Sequence, residues 1–164
     1  MKTVVDIKRI EIVVTKACSG KCKHCSAKLE ERGGSVNADA VTRAIKQLTS
    51  RYNVETIMTF GGEPLLFSDT VCKIHETARE CGIAGRAVIT NGFFSHDNDK
   101  VESVAASLCA SGVDNVYLSV DAFHQEYIPI EPVVCFAEAL VKHGVKRLRI
   151  HPAWVVNRQH QNHY

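Results

Sequence analysis

The sequence predicts an α/β fold built on a parallel sheet, and three observations carry that prediction. Strand-like and helix-like hydrophobic patterns alternate from end to end. Strand starts near positions 10, 55, 86, 115 and 147 are separated by 45, 31, 29 and 32 residues, a β-α beat of near-constant length without a visible sequence repeat. Chemically distinctive residues cluster where those strands end. Consecutive parallel strands with right-handed crossovers form either an open doubly wound sheet or a barrel, and both architectures build their sites at that edge.

The first strand, Ile10 to Val14, runs into a cysteine loop and a polar turn at Glu31-Arg32-Gly33-Gly34. Ala38 to Tyr52 sets Val41, Ala44, Ile45, Leu48 and Tyr52 on one helical face, with Ser35 or Asn37 to cap it. Val54 to Phe60 is the second strand, and Gly61-Gly62 forbids its continuation. The next helix is capped by Ser68, buries Val71, Ile74, Ala78 and Cys81, and stops at Gly82. Arg86 to Thr90 is the third strand. The third helix buries Val101, Val104, Ala105 and Leu108 and stops at Gly112. Asn115 to Val120 is the fourth strand, and a fourth helix runs from about Pro132 to His143, before Gly144. Lys146 to Ile150 is the fifth strand, and the ending Asn157 to Tyr164 is polar with no apolar pattern.

Length and composition place this as one globular domain. At 164 residues, 45% hydrophobic and 23% charged, the chain can bury a core, and its formal charge of +2 gives no reason to expect nucleic acid or membrane partners. No apolar run approaches the roughly 18 residues of a membrane span, and the charged N-terminus does not read as a signal peptide. Seven cysteines cannot all pair internally. A cytoplasmic protein with reduced thiols is the expectation, and metal binding is the first reading of the clustered three.

Those three are Cys18, Cys22 and Cys25, a C-x3-C-x2-C pattern with no fourth cysteine nearby. A structural zinc site or an ordinary ferredoxin cluster takes four ligands. His24 is the nearby candidate for a fourth, but one short loop would have trouble presenting all four groups. Three thiolates suit a cubane cluster with one iron left open to a chelating small molecule, and Lys16, Lys21 and Lys23 would offset part of its negative charge. Cys72, Cys81, Cys109 and Cys135 are scattered over three helices and read as small buried or half-buried thiols. Beyond the fourth strand, His124 and Tyr127 would overhang a barrel mouth, and His151 ends the fifth strand. All three are candidate catalytic or substrate-contact residues, with loop packing as the alternative.

The cysteine loop, with His24 just before Cys25, resembles the signature of the radical S-adenosylmethionine (radical SAM) enzymes. Gly61-Gly62-Glu63-Pro64 is similar to the second motif of that superfamily, and Thr90-Asn91-Gly92 and Ser119-Val120-Asp121 match strand ends it uses. The motifs occur in order, from about Ile10 to Ile150. The resemblance implies a partial (β/α) TIM-like barrel of about five parallel strands, lacking the sixth unit usual in the superfamily. It implies a core domain over residues 1–156 and a polar tail over 157–164. It further implies that Cys18, Cys22 and Cys25 hold a [4Fe-4S] cluster whose fourth iron is chelated by S-adenosylmethionine. Reductive cleavage would then yield a 5'-deoxyadenosyl radical that abstracts a substrate hydrogen, with electrons from a reductase or flavodoxin-like donor.

Around the cofactor, the resemblance places the Gly61 and Gly62 backbone at the methionine end and His24 near adenine. Glu63 either complements the ammonium group or stabilises its own loop. Thr90, Asn91 and Ser119 either reach the ribose and carboxylate or serve strand-end turns, and Asp121 is either a ribose or substrate contact or a cap. The fifth strand lacks the glycine-rich adenine motif of many relatives, so Leu148 and Ile150 stand in as apolar adenine contacts, or the pocket is incomplete. The polar ending suggests part of a longer polypeptide or loss of a last unit, with dimerisation or a partner covering the open barrel edge. The rival expectation is a non-catalytic iron-sulfur or zinc-binding electron-transfer module.

Overall fold

The computed structural model describes residues 6–25 and 33–154; the expected tail at 157–164 and part of the Glu31–Gly34 turn lie outside the described residues. Five strands, β1 (Arg9–Val13), β2 (Thr56–Phe60), β3 (Gly85–Thr90), β4 (Asn115–Leu118) and β5 (Arg147–Ile150), form one sheet in the order β1-β2-β3-β4-β5. Every neighbouring pair is parallel. A doubly wound sheet would reverse its order partway across, and this sheet does not. Right-handed crossovers along an unreversed sheet put every helix on one face and leave the other concave, as in the wall of an open barrel.

The register shows why the two faces differ. The row Ile12, Thr59, Val88, Val116 and Leu148 faces the helices and carries the core. The next row, Glu11, Met58, Ala87, Asn115 and Arg147, faces the concavity and is mixed in polarity. Helices α1 (Ala38–Thr49), α2 (Ser68–Glu80), α3 (Asn98–Ser111) and α5 (Ile130–Lys142) pack side by side in that order over the first row. They supply Ile45, Ile74, Ala105, Phe136 and Leu140 to the core. A short helix, α4 (Ala122–Gln125), stands between β4 and α5.

Local chemistry sets the helix ends. Asn37 caps α1 by accepting from the Ala40 N–H at 2.9 Å, which resolves the choice left between Ser35 and Asn37. The helix stops at Thr49, leaving Tyr52 in the following turn. Gly112, at φ +94°, takes the left-handed position that ends α3.

Three expectations need correction. Ser68 is the first residue of α2 rather than its cap. A 3-10 turn, Pro64–Phe67, precedes the helix, and the Glu63 side chain caps that turn. The helix expected from Pro132 begins at Ile130, and α4 was not anticipated. Leu148 and Ile150 pair with the core residues Val116 and Leu118, so they belong to the helix-facing side and not to a pocket in the concavity. No helix among the described residues is long and apolar enough to cross a membrane.

Candidate functional site

The site is assembled where β1 and β2 end side by side. Gly62 N–H donates to the Thr15 carbonyl at 2.8 Å, and Glu63 N–H to the Ala17 carbonyl at 2.7 Å. That pairing brings the backbones so close that a Cβ on Gly62 would lie 2.0 Å from the Ala17 oxygen. Gly61 adds a φ of +146°, and its Cβ would meet the Thr15 oxygen at 2.4 Å. The two glycines are therefore required by the docking of the second strand end against the root of the cysteine loop.

Glu63 locks the same junction from beneath. Fully buried, its carboxylate accepts from Leu65 N–H at 2.9 Å, Thr90 Oγ1 at 2.7 Å and Asn91 N–H at 2.8 Å. Burial pushes its pKa up to about 7 against the pull of those three bonds. Of the two roles left open for Glu63, the geometry supports loop stabilisation. Both of its oxygens accept hydrogen bonds from groups within the protein. Thr90, almost fully buried, donates to Glu63 and accepts from Gly92 N–H, so its hydroxyl is likewise structural. Pro64 is buried at the start of the 3-10 turn.

The cysteine loop is fastened across to β3. Ser19 Oγ donates to the Phe93 carbonyl at 2.6 Å, and Asn91 Nδ2 donates to Ser19 Oγ at 3.0 Å and reaches Cys18 Sγ at 3.7 Å. A pocket of about 130 Å³ results, lined by all three of Cys18, Cys22 and Cys25. Its remaining wall is Gly20, His24, Phe60, Gly61, Gly62, Ile89, Thr90, Asn91, Ser119 and His124. Of the strand-end residues expected there, Asn91 and Ser119 line the pocket, and Thr90 does so with its hydroxyl committed elsewhere.

The three thiols are drawn together at one pocket and partly desolvated there. Burial, then the Glu63 and Cys25 charges, raises the Cys18 pKa. Burial, followed by Cys18, Cys25 and Asp121, pushes Cys22 up to about 11. Three thiolates cannot be gathered here without mutual repulsion, and a bound cationic centre removes that repulsion. No other cysteine lines the pocket. Cys72, Cys109 and Cys135 sit on α2, α3 and α5, and Cys81 ends α2. The donor set thus fits a thiolate-bound metal centre that keeps one position open. Lys23 does not supply the expected offsetting charge, because its ammonium pairs with Glu126 at 3.0 Å.

The far wall comes from α4. Asp121 caps the helix, its Oδ1 accepting from the Phe123 and His124 N–H groups, while Oδ2 takes His124 Nδ1 at 2.7 Å and Ala153 N–H at 2.8 Å. Burial alone would raise its pKa, but the bonds from Ala153 and His124 hold it below the ordinary value. The cap reading of Asp121 is the one its contacts support. His124 is brought to the pocket, where the exposed His24 ring lies 4.9 Å from it and 5.0 Å from Phe123. Tyr127, 43% exposed, does not line the pocket. His151 stands outside it too, its ring against Tyr117 at 5.6 Å. Ser19 and Gly20 were overlooked in the sequence, although their place inside the C-x3-C-x2-C loop was the available signal.

Residues 12–151 match the model of the Radical SAM superfamily. The chain is 28% identical over 120 residues to a GTP 3',8-cyclase of Rhodopirellula baltica, covering 71% of this chain and 32% of that protein. It is 30% identical over 122 residues to a probable GTP 3',8-cyclase of Methanocella arvoryzae, covering 73% and 36%. The chain thus spans about a third of the length of the curated relatives it matches. Among solved structures, native anSMEcpe with bound AdoMet aligns with a TM-score of 0.66 at 20% identity, covering 88% of this chain and 43% of that one. Methylornithine synthase aligns with a TM-score of 0.58 at 11% identity, covering 90% and 44%. At these identities the structural likenesses speak to the fold.

Proposed function

The chain belongs to the radical SAM superfamily, and from that premise we propose that it is the catalytic core of an enzyme that cleaves S-adenosylmethionine reductively to start radical chemistry on a substrate. One observation carries the reading. Three thiols and the ends of β2, β3 and β4 line a single pocket. Cys18, Cys22 and Cys25 would hold a [4Fe-4S] cluster there. When bound, cluster and S-adenosylmethionine together supply a one-electron cleavage of the sulfonium and a 5'-deoxyadenosyl radical that abstracts hydrogen.

The chain's own residues bind, orient and exclude water. Gly61 and Gly62 expose backbone to the pocket without side chains in the way. Ser119 offers a short polar group to the ribose or carboxylate, Asn91 holds the cysteine loop by donating to Ser19 Oγ and accepting from Phe93 N–H, and His24 flanks the third cysteine where adenine would lie. Glu63 and Asp121 act as positioning residues, the first through Thr90 and Asn91, the second through His124. A reductase or flavodoxin-like donor supplies electrons, in a reducing cytoplasm that suits seven free thiols. A second copy or partner covers the outer edge of β5, where Ile150 is 68% exposed.

Anaerobic reconstitution with iron and sulfide, followed by reduction and an assay for 5'-deoxyadenosine, tests the reading. Release of 5'-deoxyadenosine that is lost in Cys18→Ala supports it, and a folded, iron-loaded protein that leaves S-adenosylmethionine intact overturns it. Because the matched relatives are named GTP 3',8-cyclases, GTP is the first substrate to assay.

A further inference from the structure

Two donors converge on one of the three sulfurs. Gly20 N–H donates to Cys18 Sγ at 3.4 Å, and Asn91 Nδ2 donates to it at 3.7 Å from the end of β3. The first is local to the cysteine loop. The second crosses from another strand through a side chain only 5% exposed, where a hydrogen bond to a thiolate is little weakened by water.

The direction of the Asn91 amide is fixed by its neighbours. Its Oδ1 accepts from Phe93 N–H at 2.8 Å, and its Nδ2 donates to Ser19 Oγ at 3.0 Å. Ser19 places its own proton on the Phe93 carbonyl, at 2.6 Å, rather than on Asn91 Oδ1, at 3.5 Å. Turning the amide over would set its NH2 group against the Phe93 N–H and its oxygen against a hydroxyl with no proton to give. An amide nitrogen carries two protons, so one serves Ser19 and the other Cys18. The Asn91 backbone is held as well, its N–H donating to the buried Glu63 carboxylate at 2.8 Å.

We propose that Asn91 is a positioning residue acting through Cys18: its amide proton on the thiolate sulfur raises the reduction potential of the metal centre and so favours entry of the electron that starts the reaction. The inference rests on the proposed [4Fe-4S] reading. In that reading one electron passes from the external reductase or flavodoxin-like donor to the cluster, the donor is oxidised by that electron, no proton is transferred and no bond to Cys18 breaks. The charge on cluster and thiolates becomes more negative, and an N–H donor stabilises the more negative state more. Fastening the loop through Ser19 does not by itself set a potential, so the two roles of Asn91 separate by measurement.

That measurement is a potentiometric titration of the reconstituted protein followed by electron paramagnetic resonance, with iron content determined for each variant. Asn91→Ala is expected to hold iron and to shift the reduction equilibrium about 10-fold toward the oxidised state, about 59 mV lower for one electron. Asn91→Asp keeps the acceptor for Phe93 N–H and puts a carboxylate in place of the donor, so its potential falls further; close in shape to the native residue, it decides the matter alone if the alanine variant loses iron. Ser19→Ala removes the fastening but leaves the donor to Cys18, and its potential stays nearer to wild type than either. A wild-type potential in Asn91→Asp, or a shift in Ser19→Ala as large as that in Asn91→Ala, overturns the inference. Lowered potentials in a protein that leaves S-adenosylmethionine intact support it and sink the proposed function, whereas cleavage with unaltered potentials sinks only this inference. A wild-type protein that assembles no [4Fe-4S] cluster sinks both.

Discussion

Replacing Glu63 separates its structural role from a role on the cofactor. Its carboxylate holds two backbone N–H groups and the Thr90 hydroxyl in a site with no access to water. In Glu63→Ala the hydroxyl can turn away, but the Leu65 and Asn91 N–H groups are stranded. At roughly 1–3 kcal/mol each, the loss is about 2–6 kcal/mol, a large share of an ordinary domain's stability. Glu63→Gln keeps the shape and removes the titration. With its folded pKa raised to about 7, Glu63 contributes most below its unfolded value of 4.5, and that contribution fades as pH rises to 7.

His75 has the opposite slope. Buried beneath the sheet with Nε2 2.9 Å from Thr59 Oγ1, it is held neutral by burial, its pKa driven down to about 3. Its contribution is complete above 6.5 and is lost as pH falls toward 3. Between pH 5 and 6.5 the two slopes oppose each other, each about 1.4 kcal/mol per pH unit. Urea unfolding of the protein without cluster is therefore expected to show stability rising with pH in Glu63→Gln, by about 2 kcal/mol across that window, and nearly flat behaviour from this pair in wild type. If Glu63→Ala keeps wild-type stability while its affinity for S-adenosylmethionine falls, the carboxylate faces the cofactor and the reasoning fails.

Other outcomes follow from the same contacts. His75→Gln is expected to lose stability as pH rises from 5 to 6.5, exposing the Glu63 slope alone; a profile parallel to wild type would show that His75 does not titrate between the two states. Gly62→Ala drives a Cβ into the Ala17 carbonyl and is expected to abolish iron retention, whereas Gly34→Ala, with nothing within 4 Å, is expected to load iron normally. Equal iron content in the two variants would contradict the docking of β2 against the cysteine loop. Asp121→Asn should leave iron content unchanged but raise the concentration of S-adenosylmethionine needed for cleavage, because His124 loses its orienting carboxylate. An unaltered concentration dependence would remove Asp121 from the site.

Much of this architecture is legible in the sequence because it depends on local periodicity. All five strands fall within two residues of their expected ends, and the glycine stops at 82, 112 and 144 each take a positive φ. The order of the motifs along the chain already placed the three cysteines, Asn91 and Ser119 at one edge. What could not be read is the direction in which polar groups are satisfied. Glu63 looks like an exposed turn residue beside two glycines, and only the crossing of β3 beneath it reveals a fully buried carboxylate. Ser68 looks like a cap until Glu63 takes that role one turn earlier. The polarity of β5 is similarly ambiguous. In the sequence, Leu148 and Ile150 suit an apolar adenine pocket or leave it incomplete, and the register with β4 sends them toward the helices and sets Arg147 and Arg149 in the concavity-facing rows.

The central claim is that three thiolates leave one metal position open to S-adenosylmethionine. Electron paramagnetic resonance of the reduced, reconstituted protein, recorded with and without S-adenosylmethionine, addresses it directly. The account predicts about four irons per chain, a [4Fe-4S] signal that changes when S-adenosylmethionine is added, and loss of that signal in Cys18→Ala, Cys22→Ala and Cys25→Ala. A cluster signal indifferent to S-adenosylmethionine, or zinc bound in place of iron, would contradict it and leave a non-catalytic metal-binding module.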